Sequence, residues 1–199
     1  MTGQAFIALL PELISTGFLI LVLMVGVFSD SNAGVAAGLA AIGTLAVFGS
    51  AAVLLATGFS GSYFGDGFVV DGFALYFKLI VAGSAFFAVL AAARWSGQTG
   101  DAPEYLTLIL SVVLGSTLLV SMRDLFGIFL AIELATIPSY AMVAFDRSRR
   151  ESAEGGMKYL ITGVIASSVL LYGIVLIYGV SGSAMLSDVA DTFTGTLTP

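Results

Sequence analysis

Six stretches of about 20 apolar residues follow one another along the chain, and each is long enough to cross a lipid bilayer as a helix. Inside lipid the backbone finds no water. Each stretch must therefore satisfy its own peptide groups, which a helix rising ~1.5 Å per residue does. The spans are expected at residues 5–28, 33–57, 71–93, 104–122, 125–145 and 153–180, followed by a polar segment at 181–199. Polar or glycine-rich breaks separate them: Ser29-Asp30-Ser31-Asn32, Gly58 to Gly67, Arg94 to Pro103, Arg123-Asp124, and Asp146 to Ser152. Three of these breaks are tight and predict antiparallel neighbours for spans 1/2, 4/5 and 5/6. The expected fold class is an all-α integral membrane protein with one transmembrane helical domain over residues 1–180.

Composition narrows the chemistry. The chain is 58% hydrophobic and 10% charged, against roughly 45–50% and 25% for a soluble domain. It has no Cys and no His, so it lacks the thiolate and imidazole ligands of iron–sulfur, haem and zinc sites. Redox chemistry associated with such a chain is expected on a partner. Seven basic residues against 13 acidic ones argue against nucleic acid as a partner and leave the lipid bilayer as the expected surroundings. The opening Met1-Thr2-Gly3-Gln4 has no basic region before its apolar stretch, so the first span reads as retained rather than cleaved.

Lys and Arg collect in short cytoplasmic loops. Arg94, Arg147, Arg149 and Arg150 follow spans 3 and 5, and Arg123 alone follows span 4. This distribution predicts a multi-pass protein of the cell membrane with both termini outside. Gly34 and Gly38 in the second span have the small-xxx-small spacing that lets helices approach closely, and they are expected to pack.

An ionisable side chain at the centre of a span costs about 2.5–3.5 kcal/mol on insertion scales, so it usually faces a bundle interior or a hydrated cavity. Glu133 lies mid-way along the fifth span and Lys158 just inside the sixth. A carboxyl whose proton affinity a neighbour can switch is a usable proton site; the alternative is a permanently protonated Glu133 bonding across helices. Lys158 is an available partner across the tight turn, or else a lysine that snorkels to the interface. Lys78, two turns into the third span, shares a helix face with Asp71 and is a third candidate, with the same snorkelling alternative. Pro138 removes a backbone donor and frees the carbonyl of Leu134, next to Glu133. No phosphate loop, dinucleotide fingerprint or nucleophile triad is present.

At these residues the sequence resembles the antiporter-like membrane subunits of respiratory complex I, most closely the subunit N group of NADH–quinone oxidoreductases. The likeness is carried by Leu9-Leu-Pro-Glu-Leu13, Val69-Val-Asp-Gly-Phe-Ala-Leu-Tyr-Phe-Lys78, Asp124-Leu-Phe-Gly-Ile-Phe-Leu-Ala-Ile-Glu-Leu134 running on to Tyr140, Ala144-Phe-Asp-Arg147, and Ser152-Ala-Glu-Gly-Gly-Met-Lys-Tyr-Leu160 with Gly163 and Leu171-Tyr-Gly173. The resemblance implies that Glu133 and Lys158 match a functional glutamate and lysine on a hydrated axis of charges that relays protons. It implies no shared role for Lys78. Family members carry further helices with additional axial lysines, which this chain stops short of.

The resemblance also implies other membrane subunits as partners, with NADH, flavin, iron–sulfur clusters and quinone held by partner subunits and no cofactor on this chain. The function expected is that of a membrane subunit contributing to proton translocation coupled to quinone reduction elsewhere. Two alternatives stand beside it: a non-catalytic assembly or scaffold membrane subunit or fragment, and a module related to cation/proton antiporters.

Overall fold

The computed structural model describes residues 2–28, 33–96, 101–146 and 148–195. These form α1 (Thr2–Ala8), α2 (Leu10–Phe28), α3 (Ala33–Ala56), β1 (Gly61–Tyr63), β2 (Phe68–Val70), α4 (Gly72–Ser96), α5 (Ala102–Leu119), α6 (Leu125–Val143), α7 (Arg150–Ser181) and α8 (Leu186–Gly195). Six helices among the described residues, α2 to α7, have the length and apolar composition needed to cross a membrane. The protein is an all-α, multi-pass membrane protein. The break at 29–32 and Arg147 lie outside the described residues.

The first apolar segment is interrupted at Leu9. Pro11 has no N–H to give the carbonyl of Ile7, so the ladder is broken between α1 and α2, while Leu9 N donates to Ala5 O and Leu13 N to Leu9 O on either side. The glycine-rich break after α3 is a structured hairpin rather than a plain loop. β1 and β2 pair antiparallel with Gly61 opposite Val70 and Tyr63 opposite Phe68. The turn between them runs through left-handed backbone at Phe64, Gly65 and Asp66, and the Ser62 hydroxyl donates to Asp66 Oδ1 across it.

This hairpin is the first layer of a cap over one end of the helices. Val69 N donates to Ser121 O at 2.8 Å and Arg123 N to Gly67 O at 2.9 Å, so the segment after α5 adds to β2. Leu186 N then donates to Arg123 O and Leu125 N to Ala184 O, which fastens the entrance of α8 to the same segment. The connections after α3, α5 and α7 are thus stitched together by main-chain bonds.

Below the cap, α2, α3, α4 and α5 surround a core of Val22, Ala36, Ala40, Val89, Leu106 and Leu110. Lipid tails are as apolar as these side chains, so association depends on close packing rather than on escape from water. α3 accordingly presents small residues inward: Ala36, Ala40, Gly43 and Ala51 are buried, and a Cβ at Gly43 would run into the Phe18 ring. Gly34 and Gly38 do not serve this purpose. Both are exposed, and nothing described lies within 4 Å of where their Cβ atoms would stand. The close-packed stripe is displaced by two residues, because the Ala36–Ala40 face is the one packed into the core with Val22, Val89 and Leu106.

α6 packs on α5 at Gly115, where a Cβ would stand 2.6 Å from Ala135 N. α7 packs on α6 through Gly156, set against Ala144, and Gly163, set against the Tyr140 ring. The remainder of α7 is largely exposed.

Candidate functional site

Lys78, Glu12, Glu133 and Lys158, all on membrane-crossing helices, occupy three settings. Lys78 and Glu12 form a buried pair. Lys78 lies on α4 six residues from its start, Glu12 on α2 two residues from its start, and the two side chains meet under the hairpin. Nζ of Lys78 is 2.7 Å from Oε1 of Glu12, with the side chains 0% and 5% exposed. The Phe68 ring of β2 covers the ammonium, its centroid 5.1 Å from Nζ, in range for a cation–π contact. Lys78 therefore does not snorkel outward, and it does not pair with Asp71. That aspartate instead accepts a hydrogen bond from Ala74 N at 2.8 Å, closing the first turn of α4, and lies 3.4 Å from Arg123.

Glu133 sits on α6, ten residues before its end at Val143 and so about 15 Å from it. It is half-buried; its Oε1 is shielded from solvent and has no hydrogen-bond partner among the described residues, and the same holds for Thr136 Oγ1 one turn further on. Tyr140 continues that face of α6 at the i+7 position. Its ring meets Tyr159 of α7 edge-on at 4.8 Å. Glu133, Thr136 and Tyr140 thus form a polar stripe on one side of an otherwise apolar helix. Pro138 lies within this stretch, and the Ser139 hydroxyl donates to Ala135 O beside the gap it leaves.

Lys158 is eight residues into α7, a depth of about 12 Å that is close to that of Glu133. Depth is therefore not what keeps them apart. Lys158 is 75% exposed and bonds to Glu154 Oε1 at 2.6 Å, one turn back on the same helix. Expected as an available partner for Glu133, it is found in an i,i+4 pair on the open face of α7.

Asp146 stands outside the spans, in the connection between α6 and α7. The hydroxyl and the N–H of Ser148 both donate to its Oδ1, at 2.6 and 3.1 Å. The Ser148 hydroxyl is the main reason its carboxyl titrates below the ordinary aspartate range.

Reading the residues by segment overlooks Glu12, which appears there only within Leu9-Leu-Pro-Glu-Leu13. A signal was present: counted from the expected starts at 5 and 71, Glu12 and Lys78 are equally deep from the same side of the membrane.

The family described as "NADH:quinone oxidoreductase/Mrp antiporter, TM" matches residues 122–198. NADH-quinone oxidoreductase subunit N of Rubrobacter xylanophilus is 70% identical over the whole of this chain, which covers 42% of that relative. F(420)H(2) dehydrogenase subunit N of Methanosarcina mazei is 30% identical over 94% of the chain and 40% of its own length. Among solved structures, a chain of respiratory complex I from Thermus thermophilus superposes with a TM-score of 0.76 at 25% identity, over 88% of this chain and 38% of that one. The chain spans about two fifths of the length of these relatives. In sequence from end to end and in fold, it matches the N-terminal portion of NADH-quinone oxidoreductase subunit N, an antiporter-like membrane subunit.

Proposed function

We propose that this chain supplies part of the proton path of a membrane-bound, proton-translocating NADH–quinone oxidoreductase. Glu133 acts as a relay carboxyl, and Lys158, at a similar depth on α7 and paired with Glu154, supplies a positive charge or a second proton site further along the path. The observation that carries this reading is the solvent-shielded Oε1 of Glu133 in mid-span, unpartnered among the described residues and continued along α6 by the likewise unpartnered Thr136 hydroxyl. A carboxyl in that state needs a proton or an ordered water to satisfy it, and either makes it a station for proton transfer. On this reading other membrane subunits surround the chain, and NADH, flavin, iron–sulfur clusters and quinone are bound by partner subunits. The protein resides in the plasma membrane with the capped end outside and the Arg149–Arg150 end in the cytoplasm. A cation/proton antiporter is the second reading, favoured by the family description, which names both classes.

The test is proton pumping in inverted membranes, normalised to assembled complex and compared with electron transfer. Glu133→Gln keeps the size and much of the hydrogen bonding but removes the titrating proton, so pumping should fall while assembly survives. Lys158→Arg should be a poor substitute if a reversible proton is required and tolerable if only positive charge is. Normal pumping in Glu133→Gln rejects the relay. Cation-driven proton movement by the protein in vesicles free of partners would favour the antiporter.

A further inference from the structure

The Glu12–Lys78 pair lies apart from the Glu133 stripe, and its surroundings are incompletely satisfied. Among the described residues, one Glu12 oxygen, Oε2, has no hydrogen-bond partner, and neither has the Ser15 hydroxyl, one turn along the same helix. Both residues are at least nine-tenths buried. A carboxylate has about four acceptor sites, of which the 2.7 Å contact to Nζ occupies one. Buried polar atoms left over in this way are the usual partners of internal water. A pair serving only to lock two helices has no need of a second, open carboxylate oxygen or of a buried, unpartnered hydroxyl one turn away.

The way in is short. Lys78 lies about 9 Å from the start of α4 and Glu12 about 3 Å from the start of α2. On that side the ammonium is covered by Phe68, a side chain of the three-residue strand β2. The hairpin's far strand, β1, is half-open to solvent. α3 has no ionisable side chain, and those at the start of α5, Glu104 and Tyr105, stand at the opposite end. On the capped side the nearby charged groups are Asp66, Asp124, whose carboxylate lies beside Gly67 and accepts from Gly127 N, Asp188 on α8, and the solvent-reaching Asp71–Arg123 pair.

We propose that Glu12, Lys78 and Ser15 enclose bound water and form a second proton-exchange site, reached from the capped end, with Phe68 as its lid. Lys78 Nζ passes one proton to Glu12 Oε1, giving an amine and a carboxylic acid. The acid releases that proton to the bound water, and water from the capped end returns one to the amine. Water is the sole co-reactant, and the site regains its charges.

Thiol reactivity tests this without relying on pumping or electron transfer, so its outcome is separate from that of the Glu133 relay. The chain has no native cysteine. In sealed vesicles carrying the full protein, Ser15→Cys keeps the ion pair and should react with a small methanethiosulfonate added at the capped side, several-fold faster in the Phe68→Ala background. Lys78→Cys should react as its thiolate. Glu12→Gln in that background should move its pH profile down by about 1 unit, because a facing carboxylate disfavours the thiolate. Absence of reaction at Ser15→Cys, with and without Phe68→Ala, would overturn the proposal in favour of a dry structural pair. An unmoved profile on Glu12→Gln would also overturn it, since Glu12 would then carry no exchangeable charge there.

Discussion

Lys78 Nζ and Glu12 Oε1 meet at 2.7 Å, tying α4 to α2 through two side chains that are almost wholly buried. Removing one partner of such a pair leaves an uncompensated charge and costs about 3–5 kcal/mol, whereas replacing both by apolar groups of similar volume is often neutral or stabilising. Lys78→Met and Glu12→Leu should each lower the thermal stability of the protein in membranes, and the double variant should recover most of the loss. A double-mutant cycle on unfolding midpoints checks this; additive losses would show that the two side chains do not interact.

The contact between α5 and α6 gives a steric prediction. At Gly115 the added methyl of Gly115→Ala would stand 2.6 Å from Ala135 N and 2.9 Å from Ala131 O. Backbone cannot swing aside, so the helices must separate, at a cost of about 1–3 kcal/mol. Gly34→Ala meets nothing within 4 Å among the described residues and should leave stability unchanged or slightly raised. Comparing the unfolding midpoints of the two variants distinguishes a packing glycine from a free one.

Asp146 yields a pH prediction with a defined sign. The Ser148 hydroxyl favours its ionised form in the folded chain, so its folded value lies below the ordinary one. Its contribution to loop order is therefore full above about pH 4 and is lost as pH falls through the lowered folded value. Ser148→Ala should raise the Asp146 titration toward the ordinary range. The N–H contact at 3.1 Å should remain and keep part of the shift. A carboxyl titration followed by NMR reads both.

Sidedness is tested by cysteine labelling. Ser62, exposed on the hairpin, and Ser148, exposed between α6 and α7, lie at opposite ends of the bundle. Ser62→Cys should be modified by an impermeant reagent applied to intact cells, and Ser148→Cys only after the membrane is opened. The reverse pattern would invert the orientation drawn from the arginines.

The six membrane-crossing helices are legible in the sequence because lipid leaves the backbone no alternative to a long apolar helix. The hairpin is not. Its strands are three residues long, and β2 takes part of its pairing from Ser121–Arg123, far away in the chain. A local pattern carries no trace of that. The partner of Lys158 is legible as the Glu154–Lys158 spacing of four, a stronger signal than the proximity of two helices. Glu12 escapes notice because its partner lies two helices later, so the pair shows only when depths are compared across spans. Gly34 and Gly38 mislead for a related reason: spacing locates small residues on one face of a helix but does not say which face meets a neighbour.

The stitched cap has a consequence for biogenesis. A ribosome releases the hairpin long before Ser121 and Arg123, and these long before Ala184 and Leu186. Until α5 has been threaded into the membrane, the outward amide of Val69 has no carbonyl to meet, and until α7 follows, the Leu125 amide awaits Ala184. The cap therefore closes in the order of synthesis, like a lacing drawn tight one eyelet at a time. Phe68 gains its backing only after the lysine beneath it is already in the bilayer, so the insertion machinery handles Lys78 and Glu12 before their cover is secured.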